Sequence, residues 1–148
     1  MNYRKILCAV DFSDASRAAL REAAELSAKF GAELTLVHVA QGLTLMGLSE
    51  QVADERFLPS RQALERQLLT EWKDEAWRRS ERPVHTLWRE GAPWDQIVAQ
   101  AREGNYDLIV LGSHGRTGLK HALVGSVAER VVRHAPCPVF VVREKVSP

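Results

Sequence analysis

Along the chain, short continuous apolar runs alternate with stretches in which apolar residues return every three or four positions. Lys5-Ile-Leu-Cys-Ala-Val10 is the first run and stops at Asp11, and Leu34-Thr-Leu-Val-His-Val39 is a second, β-rich one. Runs of this length predict strands, and strands this uniformly apolar are buried on both faces. Between them Ala15, Ala19, Ala23, Leu26 and Phe30 mark one face of a helix. Ser13 or Asp14 suits its start, and Gly31 suits the left-handed position past its end. Residues 40–59, with Gly42, Gly47 and Pro59, read as a loose connection with room for some helix. From Ser60 to about Ser80, Leu64, Leu68, Trp72 and Ala76 predict a second helix. A third strand follows over Pro83–Arg89. Pro93 then opens a third helix with Trp94, Ile97, Val98 and Ala101 as its buried stripe, ending at Gly104. Asp107–Leu111 and Val139–Val142 complete the strands.

Strands separated throughout by helices imply parallel crossovers and a sheet covered on both faces. The expected fold is a single three-layer α/β/α domain over residues 1–148 with a five-stranded parallel sheet. Composition narrows the function. With 20 basic against 19 acidic side chains and a net charge of +1, the chain lacks the basic footprint of a nucleic-acid binder. No apolar run approaches the ~20 residues of a membrane span. The start has too short an apolar core for a signal peptide. Cys8 and Cys137 lie far apart in apolar runs, as inert buried thiols would, and a reducing, cytoplasmic setting is expected.

In open parallel sheets, ligands bind beyond the carboxyl ends of strands where the strand order reverses. Asp11-Phe-Ser-Asp14 follows the first strand, and Gly112-Ser-His-Gly115-Arg116-Thr-Gly118 follows the fourth, leading to Gly125-Ser126. Ser126 and Glu129 have the spacing of a capping box, which predicts a helix start after Gly125. Free amides at such a start attract an anion. Gly112, Gly115 and Gly125 would let the backbone approach a polyphosphate. Arg116, Lys120, Arg130 and Arg133 oppose only Glu129 over residues 112–134, a local excess of three positive charges. The Walker A pattern is absent, and the first strand–helix turn has no glycine for a dinucleotide fingerprint.

Gly112-x-x-Gly115, nine residues, then Gly125-Ser126 resembles the signature of the ATP-binding universal stress proteins. Lys5–Ser13, Leu36-Val-His-Val39, Gly91-x-Pro93, Asp107–Gly112 and Val127–Val142 resemble that family too. The resemblance implies a Rossmann-like sheet in the order 3-2-1-4-5, which brings the two loops to one crevice. It implies ATP as ligand, with Mg²⁺ or Mn²⁺ accompanying the phosphates. Asp11 would bind the ribose or adenine beside Ala9 and Val10, with Val39 lining the adenine pocket. Leu111, Gly112, Ser113, His114, Gly115 and Arg116 would form the ribose and phosphate loop, and Gly125, Ser126 and Val127 would hold the phosphates. A homodimer through the fifth strand (Val139, Phe140, Val141 and Val142) is also implied, and that strand's apolar edge invites pairing.

Other readings of the same residues are open. Asp11 could be only a helix cap, and His114 could be an acid, a base or a neutral loop residue. His38 suits strand packing, whereas His85, His121 and His134 suit solvent. No His/Cys spacing indicates a metal site. Ser113-His114 lacks the Gly-x-Ser-x-Gly elbow of a hydrolase, and the strand ends lack a receiver domain's aspartate and lysine. Trp72, Trp77, Trp88 and Trp94 read as packing. With no catalytic constellation, a regulatory, nucleotide-dependent stress-response module is expected. A slow ATP hydrolase or phosphotransferase, or a nucleotide-free interaction protein, is the alternative.

Overall fold

The computed structural model describes residues 2–41, 57–114 and 124–144. The order is β1 (Lys5–Ala9), α1 (Asp14–Phe30), β2 (Glu33–Ala40), α2 (Phe57–Ser80), β3 (Val84–Glu90), α3 (Pro93–Glu103), β4 (Leu108–Gly112), α4 (Ser126–His134) and β5 (Val139–Val142). All neighbouring strands pair in parallel, in the order β3-β2-β1-β4-β5. This is the α/β Rossmann-like arrangement the sequence led us to expect. The chain steps outward from β1 to β3 and then returns to β4, so the switch point lies between β1 and β4.

Strand alternation sorts the core into two layers. Ile6, Cys8, Leu34, Leu36 and Val110 pack under α1 and α2, with Leu20, Leu69 and Trp72. Leu7, Val37, Val39, Ile109 and Leu111 pack under α3 and α4, with Ile97, Val98 and Val131. Ser13 caps α1 by accepting from the Ser16 amide, and Gly31 ends it in the left-handed conformation, at φ 66°.

Four expectations need correction. α2 begins three residues before Ser60, because Pro59 falls in its first turn, where a missing amide donor costs little. Its buried stripe is Glu65, Leu69, Trp72 and Ala76, while Leu64 is 56% exposed. A spacing of four throughout lags the 3.6-residue turn, so the Leu64–Leu68 register drifts off the core. Trp77 is 50% exposed and so does not pack in the core. Cys137 lies in the bend before β5 and is only part-buried. Both thiols are nonetheless held protonated. Burial pushes Cys8 up to about 12, and burial followed by the Asp107 charge raises Cys137. Among the described residues, no helix is long and apolar enough to cross a membrane.

Candidate functional site

A cleft of about 490 Å³ opens at the carboxyl ends of the strands, over the switch point. It gathers Ala9, Val10 and Asp11 from the end of β1 and Val39 from β2. Leu111, Gly112, Ser113 and His114 come from β4 and its loop, and Gly125, Ser126 and Val127 from the start of α4. The remaining candidates, Gly115 and Arg116, lie outside the described residues, as do Lys120 and His121.

The β1 end is a tight turn fixed by side chains. Asp11 Oδ1 accepts from the Ser13 amide at 3.0 Å and from the Ser13 hydroxyl at 2.5 Å, and the Asp11 amide donates to Ser16 Oγ at 3.3 Å. Asp11 does not cap α1, since Ser13 does. Phe12 sits at φ 67°, a conformation rarely adopted by a bulky side chain. It is the local strain point of the turn.

The β4 end is built from backbone. The Ser113 amide donates to the Val142 carbonyl at 2.8 Å, and the Gly125 amide donates to the Ser113 carbonyl at 2.5 Å. These bonds carry the start of α4 to the cleft. Gly125, rather than Ser126, is the N-cap residue, and no side chain caps this helix. The capping box is therefore not formed: Ser126 is already helical, and Glu129 pairs with Arg133 at 2.6 Å. The first amides of α4 have no intrahelical carbonyl to reach, and they stand where an anion would be stabilised.

Two of the glycines are also required by the protein's own packing. A Cβ on Gly112 would come within 2.7 Å of the Ala15 carbonyl carbon, and one on Gly125 within 2.9 Å of the Ser113 carbonyl oxygen. Protein backbone already excludes side chains there. Of the four cations in the expected positive patch, Arg130 and Arg133 are described. Arg133 is spent on Glu129, and Arg130 lies over the Trp94 ring, 5.8 Å from its centroid. Among the described lining residues the cation is Arg61, from α2.

Sequence reasoning missed the α2 and α3 walls. Arg61 and Glu65 line the cleft on one side, with Pro93 and Ile97 opposite, and Gln41 stands at the mouth. His38 also lines it, buried but bonded to the Val10 carbonyl and to Glu65. The Arg61–Glu65 spacing of four was the available signal, masked by the misphased leucines. His85 and His134 are exposed as expected, and His134 rests against Trp94 at 5.0 Å. In the glycine loop, His114 Nδ1 is buried without a hydrogen-bond partner among the described residues.

Known proteins resemble this chain over its length. The Universal stress protein family matches residues 2–143. A universal stress protein of Methanocaldococcus jannaschii is 36% identical, covering 96% of this chain and 83% of its own. The structure of UspA from Lactobacillus plantarum superposes with a TM-score of 0.83 at 30% identity, covering 97% of this chain and 99% of that one. A universal stress protein in complex with cAMP gives 0.75 at 25% identity, over 98% and 100% of the two chains. One from Archaeoglobus fulgidus in complex with dAMP gives 0.66 at 26%, over 96% and 99%. In sequence and in fold, the chain belongs to the universal stress protein family.

Proposed function

We propose that the chain binds ATP in this cleft and acts as a single-domain, nucleotide-dependent regulatory module of a cytoplasmic stress response. The observation that carries this reading is the uncapped start of α4, facing the Asp11 turn across the switch point. The phosphates take the free amides of Ser126, Val127 and the residues after them, and Gly115 and Arg116 of the glycine loop are assigned to the same end. The nucleoside end takes Asp11, with Ala9, Val10, Val39 and Leu111 as its surroundings. Two family members bound to adenine nucleotides, cAMP and dAMP, support the class of ligand.

Among the described residues, no three His, Cys, Asp or Glu side chains converge to hold a metal. Magnesium or manganese is assigned chiefly to the triphosphate, as Mg²⁺ usually is. Identifying nucleotide co-purified with the protein, followed by calorimetry with ATP, tests the reading. Saturable binding, with ATP intact after long incubation with Mg²⁺, is expected. No binding overturns it, and ADP accumulation abolished by a site substitution replaces it with hydrolysis.

The same reading includes a homodimer through β5, an edge strand whose Phe140 is 43% exposed. Two apolar edges can satisfy each other about a two-fold axis. Light scattering should give a dimer for the wild type and a shift toward monomer for Val141→Lys. A wild type monomeric at micromolar concentration contradicts the dimer.

A further inference from the structure

His38 does more than fill the layer under α2. Its neighbours Val37 and Val39 face α3 and α4, so alternation turns His38 to the opposite side, toward α2. There Nδ1 stands 2.9 Å from the Val10 carbonyl oxygen, and Nε2 stands 2.8 Å from Glu65 Oε2. A carbonyl can only accept, so Nδ1 donates to it. The Glu65 contact then needs a proton on Nε2 or on the carboxyl, so the pair holds one proton beyond a neutral imidazole and a carboxylate. Arg61 Nε donates to the other Glu65 oxygen at 3.1 Å, and His38 and Glu65 are both buried.

The residues His38 holds are the two neighbours of Asp11. Val10 is the first residue past β1. Its amide still donates to the Val37 carbonyl, while its own carbonyl takes the His38 proton. Phe12, on the other side of Asp11, keeps its left-handed backbone with its ring 4.7 Å from the His38 ring and edge-on to Trp72 at 5.2 Å. A strained residue of this kind persists only where its surroundings over-determine it.

We infer that His38, oriented by Glu65, is a positioning residue for the nucleoside end: by holding Val10 and Phe12 it sets where the Asp11 carboxylate stands. This rests on the nucleotide-binding reading above. It resembles the way a carboxylate orients a histidine at metal sites, with a backbone carbonyl in place of the metal.

The test uses the full chain, ATP and inorganic triphosphate. His38→Leu keeps an apolar body but loses the donor, and the ATP dissociation constant should rise about tenfold with triphosphate unaffected. His38→Asn returns an amide donor near the Nδ1 position and should recover most of that loss, which a purely packing role would not allow. Glu65→Gln can donate to Nε2 of a neutral imidazole and should lose much less affinity than Glu65→Leu, with triphosphate binding following neither. If His38→Leu fails to fold, the two Glu65 variants make the same comparison.

Deuterium exchange at the Asp11 and Ser13 amides, bonded to Ser16 Oγ and Asp11 Oδ1, reads the turn without ligand. It should speed up in His38→Leu and return toward wild type in His38→Asn. A wild type that binds ATP no better than His38→Leu overturns the inference. A wild type that binds no nucleotide overturns the proposed function instead, and unchanged exchange in His38→Leu then overturns the inference separately.

Discussion

The two ends of the cleft face each other across the switch point and are built from different materials. At the β1 end, the Asp11 carboxylate is held by Ser13, its amide by Ser16, and its neighbours by His38. Side chains do the fixing, and one residue, Phe12, carries backbone strain. At the β4 end, the fixing is done by backbone bonds from Ser113 to Val142 and from Gly125 to Ser113, and α4 begins with no side-chain cap. The difference matches what each end is proposed to recognise. A nucleoside presents directional donors and acceptors that reward a fixed carboxylate. Phosphates present diffuse charge, which a set of free amides accepts without a particular side chain.

The comparison can be broken at the fold first. Gly112→Val would drive a branched side chain into the Ala15 backbone, where even a Cβ would approach to 2.7 Å. Overpacking of this kind should cost about 3 kcal/mol and lower Tm by roughly 10 °C in a thermal melt. A variant as stable as wild type would mean that α1 can retreat from β4.

The phosphate end can be broken without touching the fold. Ser126 is the first residue of α4, a position that accepts proline, and Gly125 at φ −70°, ψ 164° already has the extended backbone that must precede one. Ser126→Pro removes one amide donor and the hydroxyl. ATP affinity by calorimetry should fall ~10- to 100-fold with Tm nearly unchanged, whereas Ser126→Ala should lose less. Equal losses in the two variants would assign the contact to the hydroxyl.

Asp11→Ala should weaken ATP about tenfold and leave inorganic triphosphate unaffected in a competition assay. Parallel losses would move Asp11 from the nucleoside to the phosphate end.

The smallest effect concerns Cys8, remote from either end. Its folded thiol is raised from 9.0 to about 12, so its contribution to stability is complete below 9 and is lost as pH rises toward 12. Native protein should resist alkylation at pH 8, with both thiols reacting once urea unfolds the chain. Rapid native labelling of Cys8 would contradict its burial.

Most of the strand ladder was legible because strands buried on both faces leave continuous apolar runs, and the β5 boundaries at Val139 and Val142 agree with the sequence reading. The α4 start after Gly125 was legible too, but its cap was not. Ser-x-x-Glu spacing cannot say whether the serine stands before the helix or within it, and the Gly125–Ser113 bond decides that. The α2 wall stayed hidden for a related reason. Leu64 and Leu68 outweighed Glu65 in the hydrophobic pattern, yet Glu65 can be buried because His38, distant in sequence, supplies its partner. Periodicity registers apolar residues, and a buried polar pair leaves no period.

The central claim is that both ends engage one nucleotide. Titrating ATP into isotopically labelled protein and following its backbone amides tests this most directly. The account predicts that the signals of Asp11 and of Ser126 to Ala128 shift together and saturate at one equivalent. Saturable shifts confined to one end, or centred instead on the smaller groove between Arg66 and Trp88, would contradict it.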